Sequence, residues 1–339
     1  MNRYAKDLAG SLLASTARVT LAAGGRGVER QTAGFLNALA AGGGTPLEQL
    51  SPADARAALV GLQAGASLQS LKVDITEKTI NAAGHDIKLT VVRPAGAGGT
   101  LPVFMFFHGG GWVVGDFLTH ERFVCDLVVG SGAAAVFVNY TPSPEAHYPV
   151  AINEAYAATL WVAEHGAEIK VDDKRLAVAG NSVGGNMAAV VTLMAKNKGT
   201  PAIRYQVLFW PVINANFENS SYDEFAEGHF LTRNMMKWFW DSYTTDFNQR
   251  NEVYASPLLA TTEQLKGLPP ALVQTAEKDV LRDEGEAYAR RLDAAGVDVT
   301  AVRYNGMIHD FGLLNALSEV PSARSALLQA SEELKKHLK

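Results

Sequence analysis

Short apolar runs alternate with stretches of helical periodicity from about residue 71 onward. Two early runs, at residues 71–75 and 87–91, alternate apolar with polar side chains around a turn-like segment, which predicts an antiparallel pair of strands. Six further runs follow, at residues 103–107, 134–138, 176–179, 205–209, 271–274 and 299–304. Helical patterns separate most of them, at residues 117–129, 151–165, 182–196 and 283–295. This alternation predicts an α/β fold with an eight-stranded, mostly parallel sheet covered by helices on both faces.

The N-terminal part of the chain does not follow this alternation. Residues 1 to about 65 are rich in alanine and carry no strand pattern. Tyr4, Leu8, Leu12 and Val19 recur at helical spacing, which predicts an amphipathic helix, and Ser51 is placed to begin another helix.

A second exception lies between Trp210 and Pro269. This segment holds many large apolar side chains, namely Phe217, Phe225, Phe230, Met235, Met236, Trp238, Phe239, Trp240 and Tyr243. A connection this long is typical of a lid or binding element with its own helices. For any single aromatic side chain in it, packing on the core is an equally good interpretation.

Composition excludes several functional classes. The chain has 339 residues, 47% hydrophobic and 19% charged, as expected for one large globular domain. A net charge of -5 and the lack of a basic run predict no nucleic-acid partner. The single cysteine, Cys125, cannot form an intrachain disulfide or a multi-cysteine metal cluster, and its apolar surroundings favour a core position. No window approaches the roughly 20 apolar residues of a membrane span, so a cytoplasmic location is expected.

The sequence Gly180-Asn181-Ser182-Val183-Gly184 matches G-x-S-x-G and lies between a predicted strand and a predicted helix. A serine on a sharp strand-to-helix turn projects its hydroxyl from the sheet edge, and the two glycines let the turn close without a Cβ clash. The helix N-terminus behind the serine supplies the positive end of a dipole. We therefore predict that Ser182 is a nucleophile.

A glycine-rich loop, His108-Gly109-Gly110-Gly111-Trp112, directly follows the predicted strand at residues 103–107. Consecutive glycines let backbone N–H groups approach a substrate closely and point at a developing oxyanion. The loop lacks the G-x-G-x-x-G spacing of a dinucleotide site. We predict an oxyanion loop in which His108 and Gly109 support the donors that follow them.

A serine hydroxyl is a weak nucleophile and needs a base that a carboxylate holds in place. Asp279 follows the predicted strand at residues 271–274, and His309 follows the one at residues 299–304. Both therefore lie at the carboxyl ends of late strands, where a parallel sheet presents its reactive edge. Asp283 is the alternative acid, although its position is typical of the first turn of a helix.

These motifs resemble those of the hormone-sensitive-lipase-like carboxylesterases, bacterial family IV of the α/β-hydrolases. The resemblance covers nearly the whole chain and is carried by residues 108–112, 139–149, 180–185, 279–284 and 309–311. It implies a catalytic triad of Ser182, Asp279 and His309.

The resemblance implies two further features. The backbone N–H groups of Gly110, Gly111 and Val183 would form the oxyanion hole. Residues 1–65 and about 212–255 would form a helical cap on a catalytic domain that spans residues 66–339.

The sequence also departs from the family pattern near the predicted site. Asn181 stands where the family has an acidic residue or threonine, Val183 where it has alanine, and Asp310 where it has glycine. None of these changes removes a catalytic group. The branched side chain of Val183 is expected to narrow the acyl side of the pocket.

The function implied by the resemblance is that of a serine carboxylesterase acting on short- to medium-chain esters of small molecules, without a metal or organic cofactor. A lactonase, thioesterase or amidase would use the same triad, and the motifs do not separate them. A non-catalytic receptor, such as the plant gibberellin receptor, is the remaining alternative, but that route usually loses the base, whereas His309 is retained. The resemblance leaves a homodimer open.

Overall fold

The computed structural model describes residues 27–64, 72–82 and 84–339. Within these ranges the α-helices are α1 (Arg30–Gly42), α2 (Pro52–Gln63), α3 (Phe117–Ser131), α4 (Val150–His165), α5 (Val183–Lys198), α6 (Ser220–Glu224), α7 (Arg233–Tyr243), α8 (Phe247–Arg250), α9 (Thr262–Leu265), α10 (Arg282–Ala294) and α11 (Pro321–His337). None of these helices has the length and apolar character that a bilayer span requires. The helix predicted around residues 4–19 lies outside the described residues.

Eight strands form one sheet. They are β1 (Val73–Ala82), β2 (His85–Pro94), β3 (Leu101–Phe107), β4 (Ala134–Asn139), β5 (Val171–Asn181), β6 (Tyr205–Phe209), β7 (Ala271–Lys278) and β8 (Val299–Ile308). Their order is β1-β2-β4-β3-β5-β6-β7-β8. The pairs β1/β2 and β2/β4 are antiparallel, and all other neighbours are parallel. The predicted eight-stranded, mostly parallel sheet is confirmed.

The strand order places helices on both faces. Crossovers between parallel strands are right-handed, so their direction along the sheet decides which face the helix covers. The step from β3 to β4 runs toward β2, whereas the steps from β4 to β5, β5 to β6 and β7 to β8 run the opposite way. Helix α3 therefore lies on one face, where it packs against α11, and helices α4, α5 and α10 lie on the other. Burial on both faces explains why the central strands read as continuous apolar runs.

Helix α2 begins where the sequence predicts, and its C-terminal end is hydrogen-bonded to the rest of the protein. Ser51 caps the helix by accepting a hydrogen bond from a first-turn N–H at 3.2 Å. At the other end, Gln63 is only 6% exposed. Its Nε2 donates to the carbonyl oxygens of Thr119 (2.7 Å) and Leu313 (3.1 Å), and its Oε1 accepts from the N–H of Asn315 at 2.9 Å. One side chain thus ties the N-terminal segment to the loop after β8.

The long connection between β6 and β7 contains helices α6 to α9, as its length and composition predict. Helix α7 buries the face that carries Trp240 and Tyr243. Trp112, at the end of the glycine-rich loop, stacks on Tyr243 with ring centroids 4.0 Å apart and meets the edge of Trp240 at 4.9 Å. The aromatic residues therefore pack this helix over the glycine-rich loop at the carboxyl edge of the sheet.

Cys125 lies on α3 and is fully buried. Burial raises the pKa of its thiol to about 12, so the thiol stays protonated at neutral pH. The prediction that this cysteine is a core residue is confirmed.

The last strand leaves an edge of the sheet open. Among the described residues, no strand pairs with the outer side of β8. The homodimer that the resemblance leaves open stays a prediction.

Replacing Gln63 with methionine should lower the free energy of unfolding by about 3 kcal/mol, because the carbonyl of Thr119 and the N–H of Asn315 lose their hydrogen bonds to the Gln63 side chain. The measurement is urea denaturation followed by circular dichroism. Gln49→Met is the matched control, since Gln49 is exposed and the same change there should shift stability by less than about 0.5 kcal/mol. Equal losses in both variants would contradict the anchoring role of Gln63.

Candidate active site

Ser182 lies on the tight turn between β5 and α5. Its φ of 55° and ψ of -121° fall in a region that L-residues rarely adopt. Its N–H donates to the carbonyl of Phe209 at 2.9 Å, and its carbonyl accepts from the N–H of Val212 at 3.0 Å. A Cβ at Gly180 or Gly184 would collide with a backbone carbonyl. The two glycines of the motif are therefore a steric requirement of the turn. The helix predicted to begin at Ser182 begins one residue later.

Ser182, His309 and Asp279 lie in one hydrogen-bonded line. His309 Nε2 is 3.0 Å from Ser182 Oγ, and His309 Nδ1 is 2.7 Å from Asp279 Oδ2. Asp279 directly follows β7 and His309 directly follows β8. All three side chains are almost completely buried. Because the ionised carboxylate can only accept, Nδ1 carries the imidazole proton, and Nε2 is free to accept a proton from Ser182.

The two candidate acids have different partners. The second oxygen of Asp279 accepts a hydrogen bond from the N–H of Leu281 at 3.0 Å, which fixes the carboxylate beneath the imidazole. Asp283 lies on α10, where its oxygens accept from the N–H of Ser221 (2.9 Å) and Nε of Arg282 (2.8 Å). The geometry therefore favours Asp279 over Asp283 as the partner of His309.

The charge state of His309 reflects two opposing effects. Burial disfavours its imidazolium form, but the nearby carboxylates of Asp279 and Asp310 outweigh burial and raise the pKa of His309 above its ordinary value of 6.5. Asp310 Oδ2 lies 3.8 Å from His309 Nε2, beyond hydrogen-bond distance. The site thus stabilises the protonated state that His309 would reach after taking the serine proton.

The glycine-rich loop supplies unpaired backbone donors beside Ser182. Gly110 and Gly111 have φ values of 105° and 62°, which favour glycine. The carbonyl of Gly110 accepts from the N–H of Val114 at 2.8 Å, which closes the loop. No described residue accepts a hydrogen bond from the N–H of Gly110, Gly111 or Val183. These three predicted donors remain available to a substrate.

His108 is buried among aromatic rings at the start of the glycine-rich loop. Its ring stacks between Tyr140 (centroids 4.1 Å apart) and Phe137 (5.3 Å). Its Nδ1 is 2.8 Å from the carbonyl oxygen of Gly109. Burial lowers its pKa to about 4, so the imidazole is neutral at physiological pH. A buried, stacked and neutral ring fits the supporting role that the sequence predicts.

A narrow cavity of about 40 Å³ lies beside Ser182 and His309. Its other walls are formed by Leu47, Leu59, Gly110, Gly111, Val114, Phe230, Leu231, Met235, Phe239 and Asp310. The walls are apolar except around the reacting groups and Asp310. The side chain of Val183 is fully buried and is not among the residues that line this cavity, so the expectation that it narrows the acyl side stays a prediction. Among the described residues, no group of His, Cys, Asp and Glu side chains could hold a metal ion.

Two of the sequence departures meet in the structure. Asn181 Nδ2 donates to Asp310 Oδ1 at 2.9 Å, and Trp210 Nε1 donates to the same oxygen at 2.6 Å. The sequence marks Asn181 and Asp310 as unusual, but no pattern predicts that residues 129 positions apart share a hydrogen bond.

Arg56 makes hydrogen bonds near the site that no sequence pattern indicates. From α2 it forms a bidentate pair with Glu145, with both N···O distances 2.7 Å. It also donates to the carbonyl oxygens of Val113 (2.8 Å) and Ser143 (3.0 Å). The guanidinium lowers the pKa of Glu145 to about 2. Arg56 therefore joins the N-terminal segment to the chain that follows the glycine-rich loop.

Comparison with known proteins places this geometry in a family. A family model described as alpha/beta hydrolase fold matches residues 104–313. A thermostable esterase from Pseudomonas putida ECU1011 is 69% identical, with a TM-score of 0.93 over 94% of this chain and 99% of that chain. A fungal esterase from Rhizomucor miehei is 43% identical, with a TM-score of 0.87 over 92% of this chain and 97% of that chain. Carboxylesterase NlhH of Mycobacterium tuberculosis is 37% identical over 266 residues, covering 78% of this chain and 83% of that protein.

The family model covers more than half of the chain, and the relatives named above are esterases that align over most of their own length. The predicted fold class agrees with these matches. The chain belongs to the alpha/beta hydrolase family and, within it, to the hormone-sensitive-lipase-like carboxylic ester hydrolases.

Proposed function

We propose that the protein is a serine carboxylesterase in which Ser182 is the nucleophile, His309 the general base and Asp279 the carboxylate that orients His309. The observation that carries this proposal is the hydrogen-bonded line from Asp279 through His309 to Ser182, with steps of 2.7 and 3.0 Å. These distances lie within the range required for proton transfer.

The reaction follows from the positions of these groups. His309 Nε2 takes the Ser182 proton as Oγ attacks the ester carbonyl, and the resulting imidazolium returns that proton to the departing alcohol. Water then attacks the acyl-enzyme with His309 again acting as the base, and the acid is released. The raised pKa of His309 helps it to hold the proton between these two transfers.

The oxyanion of the tetrahedral intermediate would be bound by the N–H groups of Gly110, Gly111 and Val183. The lack of competing acceptors for these groups among the described residues supports this assignment. Removal of one such donor typically costs about 3 kcal/mol of transition-state stabilisation. His108 and Gly109 support the loop that presents two of the three donors.

The substrate is proposed to be a short- to medium-chain ester of a small molecule. The cavity beside Ser182, of about 40 Å³, is far smaller than a typical small-molecule site, and its walls are largely apolar, which suits a compact acyl group. Leu47 and Leu59 contribute from the N-terminal segment, and Phe230 and Phe239 contribute from the connection after β6. This shared wall supports the division into a catalytic domain and a cap built from residues 1–65 and about 212–255.

The same centre could act on lactones, thioesters or amides, because those reactions also pass through a tetrahedral oxyanion. The match to esterase relatives favours esters among these substrates. A non-catalytic role is disfavoured because His309 is in hydrogen-bond contact with both of its predicted partners.

A series of p-nitrophenyl esters from acetate to palmitate tests the proposed substrate class. Turnover should be highest for the shorter acyl chains and should fall steeply for palmitate, because the cavity cannot enclose a long chain. Ser182→Ala should lower kcat by at least about 10⁴-fold with every ester. Activity that survives in Ser182→Ala, or a maximum at palmitate, would contradict the proposal.

A matched pair of substitutions tests the choice of acid. Asp279→Asn should lower kcat by about 10⁴-fold, because the amide favours the wrong imidazole tautomer. Asp283→Asn is the control, since Asp283 contacts Ser221 and Arg282 instead of His309. Steady-state kinetics on p-nitrophenyl acetate, with circular dichroism to check folding, measures both. A larger loss in Asp283→Asn would assign the acid to the other carboxylate.

A further inference from the structure

A buried polar chain connects the loops that carry the proposed oxyanion hole and the proposed base. Asn181 Oδ1 accepts a hydrogen bond from the N–H of Gly109 at 3.0 Å, and Asn181 Nδ2 donates to Asp310 Oδ1 at 2.9 Å. Asn181 is fully buried, and Asp310 is 9% exposed. Each member is a chain neighbour of a proposed functional residue: Gly110, Ser182 or His309.

The hydrogen bonds from Gly109 through position 181 to Asp310 require an amide at position 181. The side chain must accept from the N–H of Gly109 on one side and donate to the carboxylate of Asp310 on the other. A carboxylate at position 181 could accept but could not donate, and two carboxylates at this separation would repel each other. The amide therefore matches the carboxylate at position 310.

The Asp310 carboxylate needs restraint because it lies close to the imidazole of His309. Its Oδ1 accepts from both Asn181 and Trp210, while its Oδ2 is 3.8 Å from His309 Nε2. That nitrogen is the one that faces Ser182 Oγ at 3.0 Å. A small rotation of an unrestrained carboxylate would bring Oδ2 into hydrogen-bond distance of Nε2, where it would accept the proton of the imidazolium that should pass to the departing alcohol.

The backbone at position 310 carries a cost of its own. Asp310 has a φ of 57°, a conformation that favours glycine. The carboxylate offsets this cost through its two buried hydrogen bonds.

We propose that Asn181 is a positioning residue that holds the Gly109 peptide and the Asp310 carboxylate in fixed relation to Ser182 and His309. Through Gly109 it sets the position of the N–H donors of Gly110 and Gly111. Through Asp310 it keeps a carboxylate near His309 but out of the path of the serine proton. This inference rests on the proposed function of those residues.

A double-mutant cycle tests the proposal. Asn181→Asp in the parent places two carboxylates together and should lower kcat for p-nitrophenyl acetate by at least about 10-fold, with KM changed much less. Asp310→Gly removes the repelling carboxylate and relaxes the backbone. In that background, Asn181→Asp should lower kcat only slightly, so the double variant should lie close to Asp310→Gly alone.

Several outcomes would overturn the proposal. An equal loss of kcat from Asn181→Asp in both backgrounds would show that the two side chains act independently. A loss confined to KM would assign Asn181 to substrate binding and not to positioning. If Asn181→Asp does not fold, Asn181→Ala takes its place, with thermal midpoints to check folding. Its kcat should fall by about 10-fold, and a kcat equal to that of the parent would reject the role.

Failure of this inference can be distinguished from failure of the proposed function. If Ser182→Ala is inactive and the cycle shows no coupling, only the role of Asn181 is lost. If Ser182→Ala remains active, the proposed nucleophile is wrong whatever the cycle shows.

Discussion

The proposed chemistry depends on one constraint: a buried imidazole must be held between a carboxylate and a serine hydroxyl. Asp279, His309 and Ser182 meet this requirement with contacts of 2.7 and 3.0 Å. The sheet makes the contacts possible because β5, β7 and β8 are parallel and end at the same edge, so residues that directly follow each strand converge there. Charge is then arranged around the imidazole, since burial opposes its protonation and two carboxylates favour it.

The same edge also tolerates a backbone that would be costly elsewhere. Ser182 and Asp310 both have positive φ, and Gly110 has a φ of 105°. Hydrogen bonds from the flanking strands and loops hold these residues in place, including that from the N–H of Ser182 to Phe209. Trp112 links the glycine-rich loop to α7, and Arg56 links Val113, the residue that follows the loop, to α2. The region that carries two of the proposed oxyanion donors thus contacts both segments of the proposed cap.

Much of this arrangement could be predicted from the sequence because it depends on local rules. Strand periodicity predicts the sheet, and the positions of Asp279 and His309 after late strands predict two members of the hydrogen-bonded line. The contacts of Asn181 with Asp310, and of Arg56 with Glu145, depend on three-dimensional closure between residues far apart in the chain. The side chain of Val183 packs in the core, while its N–H has no acceptor among the described residues. Sequence spacing fixes where a backbone donor lies, but not where its side chain packs.

The most direct test of the account is to trap the nucleophile with diethyl p-nitrophenyl phosphate. The phosphoryl group should be attacked by the residue that attacks esters, so inactivation should release one p-nitrophenolate per active site. Peptide mass spectrometry should locate a single diethylphosphoryl group on Ser182. The Asp279→Asn variant should react far more slowly, because its imidazole is held in the wrong tautomer. Modification of a different residue, or full activity after prolonged treatment, would contradict the assignment of Ser182.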